Sequence, residues 1–335
     1  MNCSIAALEY FLPKKIVNNR DLLIENPSWN IAEIVKKTGV DSRHIAASGE
    51  TALDLGYEAS KKLLNTSGIN KDDIGTLIFC TQSPDHILPA NANILHNKLA
   101  LKDGVWAFDV NLACSGYIYG LALSKALLNT YELDNILLVT ADTYSKYIHP
   151  KDKSVRMLFG DGAAATLLRR SDYGIIDVTI GTFGKKYDKF IIPAGGLRIP
   201  RSRKTEEEIT DNSGNRRTQG NIFMEGFSLL SLAMAKVPEN IRQILAKNNL
   251  KIEDIELFIF HQASKAVLDT LKKATEIPEE KVFNNIANIG NVVSASIPIA
   301  LKDALSANKI KRGDKVLLCG FGAGFSWGSA ILEWG

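Results

Sequence analysis

Close cysteine pairs are missing. The four cysteines, Cys3, Cys80, Cys114 and Cys319, are scattered over 335 residues with no CxxC among them. That spacing excludes a zinc ribbon and argues against a disulfide framework, leaving reduced thiols as expected in a cytoplasm. Charge of one sign is equally scarce: 40 Lys and Arg face 37 Asp and Glu, a formal net charge of +3. So weak an excess gives no basis for wholesale nucleic-acid binding. No stretch approaches the roughly 20 apolar residues of a membrane span. The start, Met1–Tyr10, has no basic region, and Glu9 breaks its apolar run. These absences predict a cytoplasmic protein without nucleic-acid or membrane partners. What is present is an ordinary globular composition, 45% hydrophobic and 23% charged, on a chain long enough for one large domain or two fused ones.

The chain repeats itself. Asn65–Ser83 (NTSGINKDDIGTLIFCTQS) aligns with Ala246–Ser264 (AKNNLKIEDIELFIFHQAS): Asp73 falls on Asp254, Ile74 on Ile255, and Cys80 on His261. Leu121–Asn129 then resembles Ile299–Ala307, and Asn135–Val139 resembles Lys315–Cys319. An ordered series of matches points to a duplicated α/β unit. We assign residues 1–172 to a front half and 173–335 to a rear half. Continuous apolar strands alternate with helical patterns in both, as when each sheet is covered on two faces. Helices are expected at Thr51–Leu64, Asn91–Leu99 and Tyr117–Leu128. Strands are expected at Gly75–Cys80, before Cys114, at Ile136–Thr140 and in the run ending at Leu168. Rear-half strands open near Gly174–Thr182 and close at Ser329–Glu333. Gly195–Asn221 is polar and without periodicity, which reads as a solvated surface loop or, given its length, a lid or docking element.

The candidate chemistry gathers at strand ends, where doubly wound sheets bind ligands. Cys114, in Asp109-Val-Asn-Leu-Ala-Cys114-Ser-Gly, stands between an apolar run and a helical pattern. A helix start favours thiolate, although a buried structural cysteine would fit the same local sequence. His261 follows the strand Leu257–Phe260, and Asn291 lies in the small-residue turn Asn288–Pro298. Taken singly, these read as a structural histidine and a turn residue. Leu317–Gly328 (LLCGFGAGFSWG) ends the last repeated strand in glycines. Folded about a pseudo-twofold axis, these pieces can converge on one cleft: a thiol to take an acyl group, backbone N–H donors for an oxyanion, and a His–Asn pair to polarise a second carbonyl.

Five stretches in order now carry a family resemblance: Ala113-Cys114-Ser-Gly, Phe159-Gly-Asp-Gly162, His261-Gln-Ala, Gly290-Asn291 with Ser294-Ala-Ser296, and the terminal glycine turn. With Thr38–Ala47 (TGVDSRHIAA) at the front, the chain resembles the β-ketoacyl-acyl-carrier-protein synthase III family over nearly its whole length. The resemblance implies a thiolase-like fold, two α/β halves stacked in αβαβα layers, working as a homodimer. It implies that Cys114 attacks an acyl-CoA, with the N–H groups of Cys114 and Ala323 holding the oxyanion. It further implies that His261 and Asn291 grip the thioester carbonyl of malonyl-acyl-carrier protein, which loses carbon dioxide and attacks the acyl-cysteine. Neither metal nor redox cofactor is called for. Substrate contacts implied by position are Lys37, Lys153 and Arg156 toward CoA, Lys265 toward the carrier, and Leu88 and Phe321 at the acyl pocket.

The sequence departs from the family pattern in several places. Ala323 replaces a usual glycine, Ala266 stands where a carrier-contacting arginine is common, and Lys37 and Lys153 replace arginines. Lysine makes a weaker phosphate fork than arginine. Leu88 implies an acyl pocket of different shape, with a primer that need not be acetyl, and the 195–221 loop is long. Acyl transfer from Cys114 to a small acceptor, without condensation, is the main alternative. A thiolase would need a second cysteine near Phe321 and a histidine at Asn291. A non-catalytic partner subunit would have no use for Cys114, His261 and Asn291 together.

Overall fold

Each repeated segment folds as a short 3₁₀ turn, a buried strand, a buried helix and a second strand. The computed structural model describes residues 2–335. In the front half Lys71–Asp73 turns into the strand Ile74–Cys80, the helix is Gly116–Thr130, and the second strand is Asn135–Asp142. In the rear half the same parts are Ile252–Asp254, Leu257–Phe260, Ser296–Ser306 and Lys315–Gly322. The two strands of each unit pair in parallel. On each, an antiparallel strand follows: Gly162–Ser171 in front and Ser326–Glu333 behind. Asn2–Phe11 and Ile175–Thr182 then close the corresponding edges.

The front sheet has a fifth strand, Trp106–Val110, beside Ile74–Cys80. The rear sheet has only four. Its counterpart is reduced to a single parallel bridge between Phe258 and Val282, after which the chain turns away toward Asn291. The duplication is therefore incomplete at the place where the rear half supplies its candidate residues.

Apolar side chains arrange these parts in five layers. Tyr117, Ile118 and Leu121 of one central helix pack with Ile297, Ala300 and Leu301 of the other, between Ile78 and Leu138 of the front sheet and Ile259 and Leu318 of the rear. The helices Ala52–Ser67 and Asn91–Lys98 cover the outer front face through Leu55, Ala59, Leu63 and Leu95. Gly226–Lys247 and Lys265–Thr275 cover the outer rear face through Val237, Ile241, Leu268 and Leu271. This is the αβαβα stack implied by the resemblance. Each sheet is buried on both faces, which is why its strands read as unbroken apolar runs.

Two local features set up the site. Thr51 caps the Ala52–Ser67 helix by accepting from Asp54 N–H, and the Asp54 carboxylate answers at Thr51 N–H. Its hydroxyl also donates to Asp85 (2.8 Å), pinning the base of a loop whose tip, Ile87 and Leu88, stands 97% and 80% exposed. At the carboxyl end of the strand Ile74–Cys80, Gly116 starts the central helix directly over Cys80. A Cβ there would lie 2.3 Å from the Cys80 sulfur. Gly116→Ala is therefore expected to cost about 1–3 kcal/mol of stability through overpacking. Cys80→Ala in the same chain should return part of it, as read from urea midpoints.

The 195–221 segment differs from a freely solvated loop. It contains a small hairpin, Ile209–Thr210 paired with Arg216–Arg217. Arg217 reaches the buried Asp152 (2.5 Å) and also Asp211. Thr205 and Asn215 are buried within it. The polar sequence concealed this because the anchoring is done by ion pairs and backbone, not by apolar periodicity. No helix among the described residues is long and apolar enough to cross a membrane.

Candidate active site

Cys114 lies between the Trp106–Val110 strand and the Gly116–Thr130 helix, in a turn closed by Gly116 N–H donating to Ala113 C=O (2.8 Å). The end of the rear strand Lys315–Gly322 runs against it. A Cβ on Gly322 would lie 2.8 Å from Cys114 Cβ and 3.0 Å from its sulfur, and one on Gly320 would lie 2.9 Å from Cys114 C=O. Only glycine permits that approach of backbone to nucleophile. Ser115 Oγ and Ser326 Oγ share a hydrogen bond (2.7 Å), and Ser326 Oγ donates to Ala323 C=O (2.9 Å). Together they lock the turn carrying Ala323 onto the start of the helix.

His261 extends the rear strand Leu257–Phe260, its N–H donating to Cys319 C=O (2.7 Å). Its ring meets Phe321 edge-on, centroids 5.8 Å apart. Asn291 Nδ2 stands 3.4 Å from His261 Nε2 and donates to Ala263 C=O (3.3 Å). The Asn291 backbone is held by the front half: its N–H donates to Leu158 C=O and its C=O accepts from Gly160 N–H, both at 3.0 Å. Val293, at φ 54°, is a β-branched residue in the left-handed region, fixed by its N–H donating to Asn291 Oδ1 (3.0 Å). Strain of that kind persists only where the surroundings over-determine it. Cys114, His261 and Asn291 are each at most 4% exposed; the end of the Lys315–Gly322 strand lies against Cys114 and His261, and the front-half segment 158–160 holds Asn291.

The electrostatics correct one expectation. Burial, with the Asp142 carboxylate as a lesser cause, pushes the Cys114 thiol up from its ordinary value. The resting sulfur is thus a thiol, and the two-residue offset from the helix start does not make it a thiolate. Burial lowers His261 from 6.5 to about 3, so the ring is neutral at physiological pH. Among the described residues its Nδ1 has no hydrogen-bond partner, which leaves the ring free to hold its proton on either nitrogen. A neutral imidazole can take a proton from a thiol or donate a hydrogen bond, as the step requires.

The His261 shift also has a stability consequence. Unfolded, the ring titrates near 6.5; folded, near 3. Between those values the unfolded chain binds more protons, so the contribution is whole above about pH 6.5 and is lost as pH falls toward 3. From pH 7.5 to 4.5 the protein should lose more stability than His261→Gln, as measured by denaturant titration at each pH. Equal losses would contradict the assignment.

Asp142, which sequence reasoning passed over, joins the halves beneath the nucleophile. It accepts from Gln82 N–H (2.8 Å) and from the hydroxyls of Thr81 and Ser83 in front, and from Ser294 N–H and hydroxyl behind. Burial raises its carboxyl to about 7. Its position at the end of the strand Asn135–Asp142 was the available signal, since carboxylates after an apolar run at a strand's carboxyl end face the crevice.

A cleft of about 480 Å³ opens beside this cluster, lined by Gln82, Asn111, Leu112, Phe190, Ile222 and Ala323 among others. None of the remaining sequence-derived residues lines it. Leu88 is at the exposed loop tip, and Phe321 is buried against His261. Lys37 is paired with Glu33 (3.0 Å), Lys265 with Asp269 (2.5 Å) and Arg156 with Glu25 (3.4 Å). Lys153 Nζ donates to Ser213 C=O (2.7 Å), which ties it to the 195–221 segment. A Cβ on Gly39 would lie 2.6 Å from Lys265 Cβ, so Lys265 abuts the end of the Ile31–Thr38 helix that carries Lys37. Among the described residues no cluster of three or more His, Cys, Asp or Glu side chains could hold a metal ion.

Comparison with known proteins places this geometry. The sequence model for 3-oxoacyl-[acyl-carrier-protein (ACP)] synthase III matches residues 108–184, and the model for its C-terminal part matches residues 245–334. A β-ketoacyl-[acyl-carrier-protein] synthase III of Clostridium perfringens is 37% identical over 337 residues, covering 99% of both chains. The crystal structure of a 3-oxoacyl-(acyl-carrier-protein) synthase III superposes with a TM-score of 0.97 at 39% identity, covering all of both chains. The 3-oxoacyl-(acyl-carrier-protein) synthase of Burkholderia xenovorans LB400 gives 0.92 at 33% identity, covering 100% of this chain and 95% of that one.

Proposed function

Since the chain belongs to the β-ketoacyl-[acyl-carrier-protein] synthase III family, we propose that it performs that family's decarboxylative condensation through Cys114, His261 and Asn291. The front half, residues 1–172, supplies the nucleophile; the rear half, 173–335, supplies the histidine and the asparagine. In the first stage the Cys114 thiol passes its proton to neutral His261, and the sulfur attacks the thioester carbon of an acyl-CoA. The N–H groups of Cys114 and Ala323 stabilise the oxyanion, CoA leaves with a proton, and an acyl-enzyme remains. In the second stage His261 and Asn291 donate to the thioester oxygen of malonyl-acyl-carrier protein. Loss of carbon dioxide leaves an enolate, which attacks the acyl-cysteine and expels the Cys114 sulfur as a thiolate; one proton taken up from solvent restores the thiol.

The single observation carrying this reading is the His261–Asn291 pair at 3.4 Å, with Asn291 held by the front-half loop whose Leu158 and Phe159 share an apolar cluster with Cys114. Simple acyl transfer to a small acceptor needs the thiol and the oxyanion donors but not this pair. Carbon dioxide release from malonyl-acyl-carrier protein separates the two. Release that requires an acyl-CoA, with a β-ketoacyl carrier as product, is expected. Acyl-enzyme turnover without release would favour transfer.

Lys37, Lys153 and Arg156 are assigned to CoA, Lys265 to the carrier, and Phe321 to the acyl pocket wall. Each of these four cations would exchange its present partner for a substrate oxygen, so binding should weaken with salt. A homodimer is supported by two features: the exposed Ile87–Leu88 tip on its pinned base and the Trp106–Val110 strand, open along one edge. Pairing across that edge would hide both an unpaired strand and exposed apolar side chains. The absence of a cofactor and a cytoplasmic location belong to the same proposal.

A further inference from the structure

The cleft beside Cys114 is not uniformly apolar. Phe190 and Ile222 line it together with Gln82 and Asn111, which belong to a directed chain of hydrogen bonds. Tyr144, 4% exposed and packed in the same cluster as Cys114, donates its hydroxyl to Gln82 Oε1 (2.8 Å). Gln82 Nε2 donates in turn to Asn111 Oδ1 (3.0 Å). The Gln82 backbone is fixed as well, through its N–H to Asp142 (2.8 Å). Asn111 lies three residues before the nucleophile, its side chain exposed to the cleft.

The direction of this chain matters. The carbonyl oxygen of each amide already accepts once from the protein and keeps one lone pair. Three N–H remain against those two lone pairs, the second Nε2–H of Gln82 and the Nδ2–H pair of Asn111, which makes no hydrogen bond among the described residues, so donor capacity predominates. A purely hydrocarbon acyl chain would strip water from those donors and return nothing. A carboxylate-tipped chain would meet no lysine or arginine among the described residues that line the cleft, and would approach the Asp142 carboxyl under Gln82. A neutral oxygen acceptor satisfies the donors without a buried charge.

We infer that the primer is an acyl-CoA whose chain carries a neutral oxygen, a hydroxyl or carbonyl, and that Gln82 and Asn111 read it. This rests on the proposed acylation of Cys114 and names the substrate class for it. Alkyl and hydroxyalkyl chains of one length differ only in the group at issue, so the comparison needs no variant. The full-length protein would be incubated with butyryl-, 3-hydroxybutyryl-, 4-hydroxybutyryl- and succinyl-CoA, and the rate of adduct formation on Cys114 followed by intact mass. At least one hydroxybutyryl thioester should acylate faster than butyryl by on the order of tenfold or more, with succinyl slowest. In Gln82→Leu and Asn111→Leu that ratio should fall toward one, chiefly because butyryl gains. Butyryl reacting as fast as both hydroxybutyryl thioesters in the unaltered protein would overturn the inference while leaving Cys114 chemistry intact. No adduct from any thioester would overturn the acylation reading beneath it as well.

Discussion

Cys114→Ala is expected to fold, to take no acyl group from any acyl-CoA, and to lose condensation by about 10³-fold or more. The side chain is small and its pocket is closed by glycine backbone on the rear side, so the substitution removes the reacting atom with little repacking. Its oxyanion donors survive, because they are backbone N–H groups. The His261–Asn291 pair also survives, since its partners are Ala263 C=O and the Leu158–Gly160 loop. Malonyl-acyl-carrier protein should therefore still lose carbon dioxide, giving acetyl-acyl-carrier protein in place of a condensed product. Intact mass and carbon dioxide release measure the two halves separately. An acyl adduct persisting on the variant would show that another group is the nucleophile.

His261→Ala and Asn291→Ala are expected to do the opposite. The oxyanion donors of the first stage remain, so acylation should proceed with a deficit set by the lost proton acceptor in His261→Ala and smaller in Asn291→Ala. Decarboxylation and condensation should fall by about 10²–10³ in each. In the proposed second stage both side chains address one oxygen, so the double variant should lose far less than the product of the single losses. Asn291 also holds Val293 through its Oδ1, and the strained turn depends on that bond. Melting temperatures must therefore accompany the rates. A variant that is stable, acylates and still condenses at the unaltered rate would remove Asn291 from the chemistry.

Much of this was legible in the sequence for a physical reason. Strands buried on both faces must be apolar at every position, and two copies of one unit repeat that pattern with the same turns between. Cys80 on His261 was a correct structural match: both sit at the carboxyl end of the first repeated strand. One packs under Gly116 and the other faces Asn291. The repeat could not show where it stops. The fifth strand, reduced to one bridge at Val282, left no apolar run to mark its loss.

Charge state was not legible at all. A helix start suggested thiolate at Cys114, but burial decides the matter in the other direction, and burial is a property of the assembled layers. Polar networks were hidden likewise. Gln82, Asn111 and Tyr144 are spread over 62 positions of chain, and nothing in their neighbours' spacing announces that they meet. The 195–221 loop was read from its polarity, whereas its anchoring rests on Arg217 and the buried Asp152.

The central claim is that one sulfur receives an acyl group which the His–Asn pair then makes available to a malonyl carbon. A chase experiment tests it most directly. Protein acylated on Cys114 and freed of CoA would be mixed with malonyl-acyl-carrier protein, and both proteins followed by peptide-mapped mass spectrometry. The account predicts that the adduct leaves Cys114 as the carrier gains that acyl group lengthened by an acetyl unit, one carbon dioxide per adduct consumed. An adduct that maps elsewhere, or that leaves Cys114 while the carrier stays unextended, would contradict it.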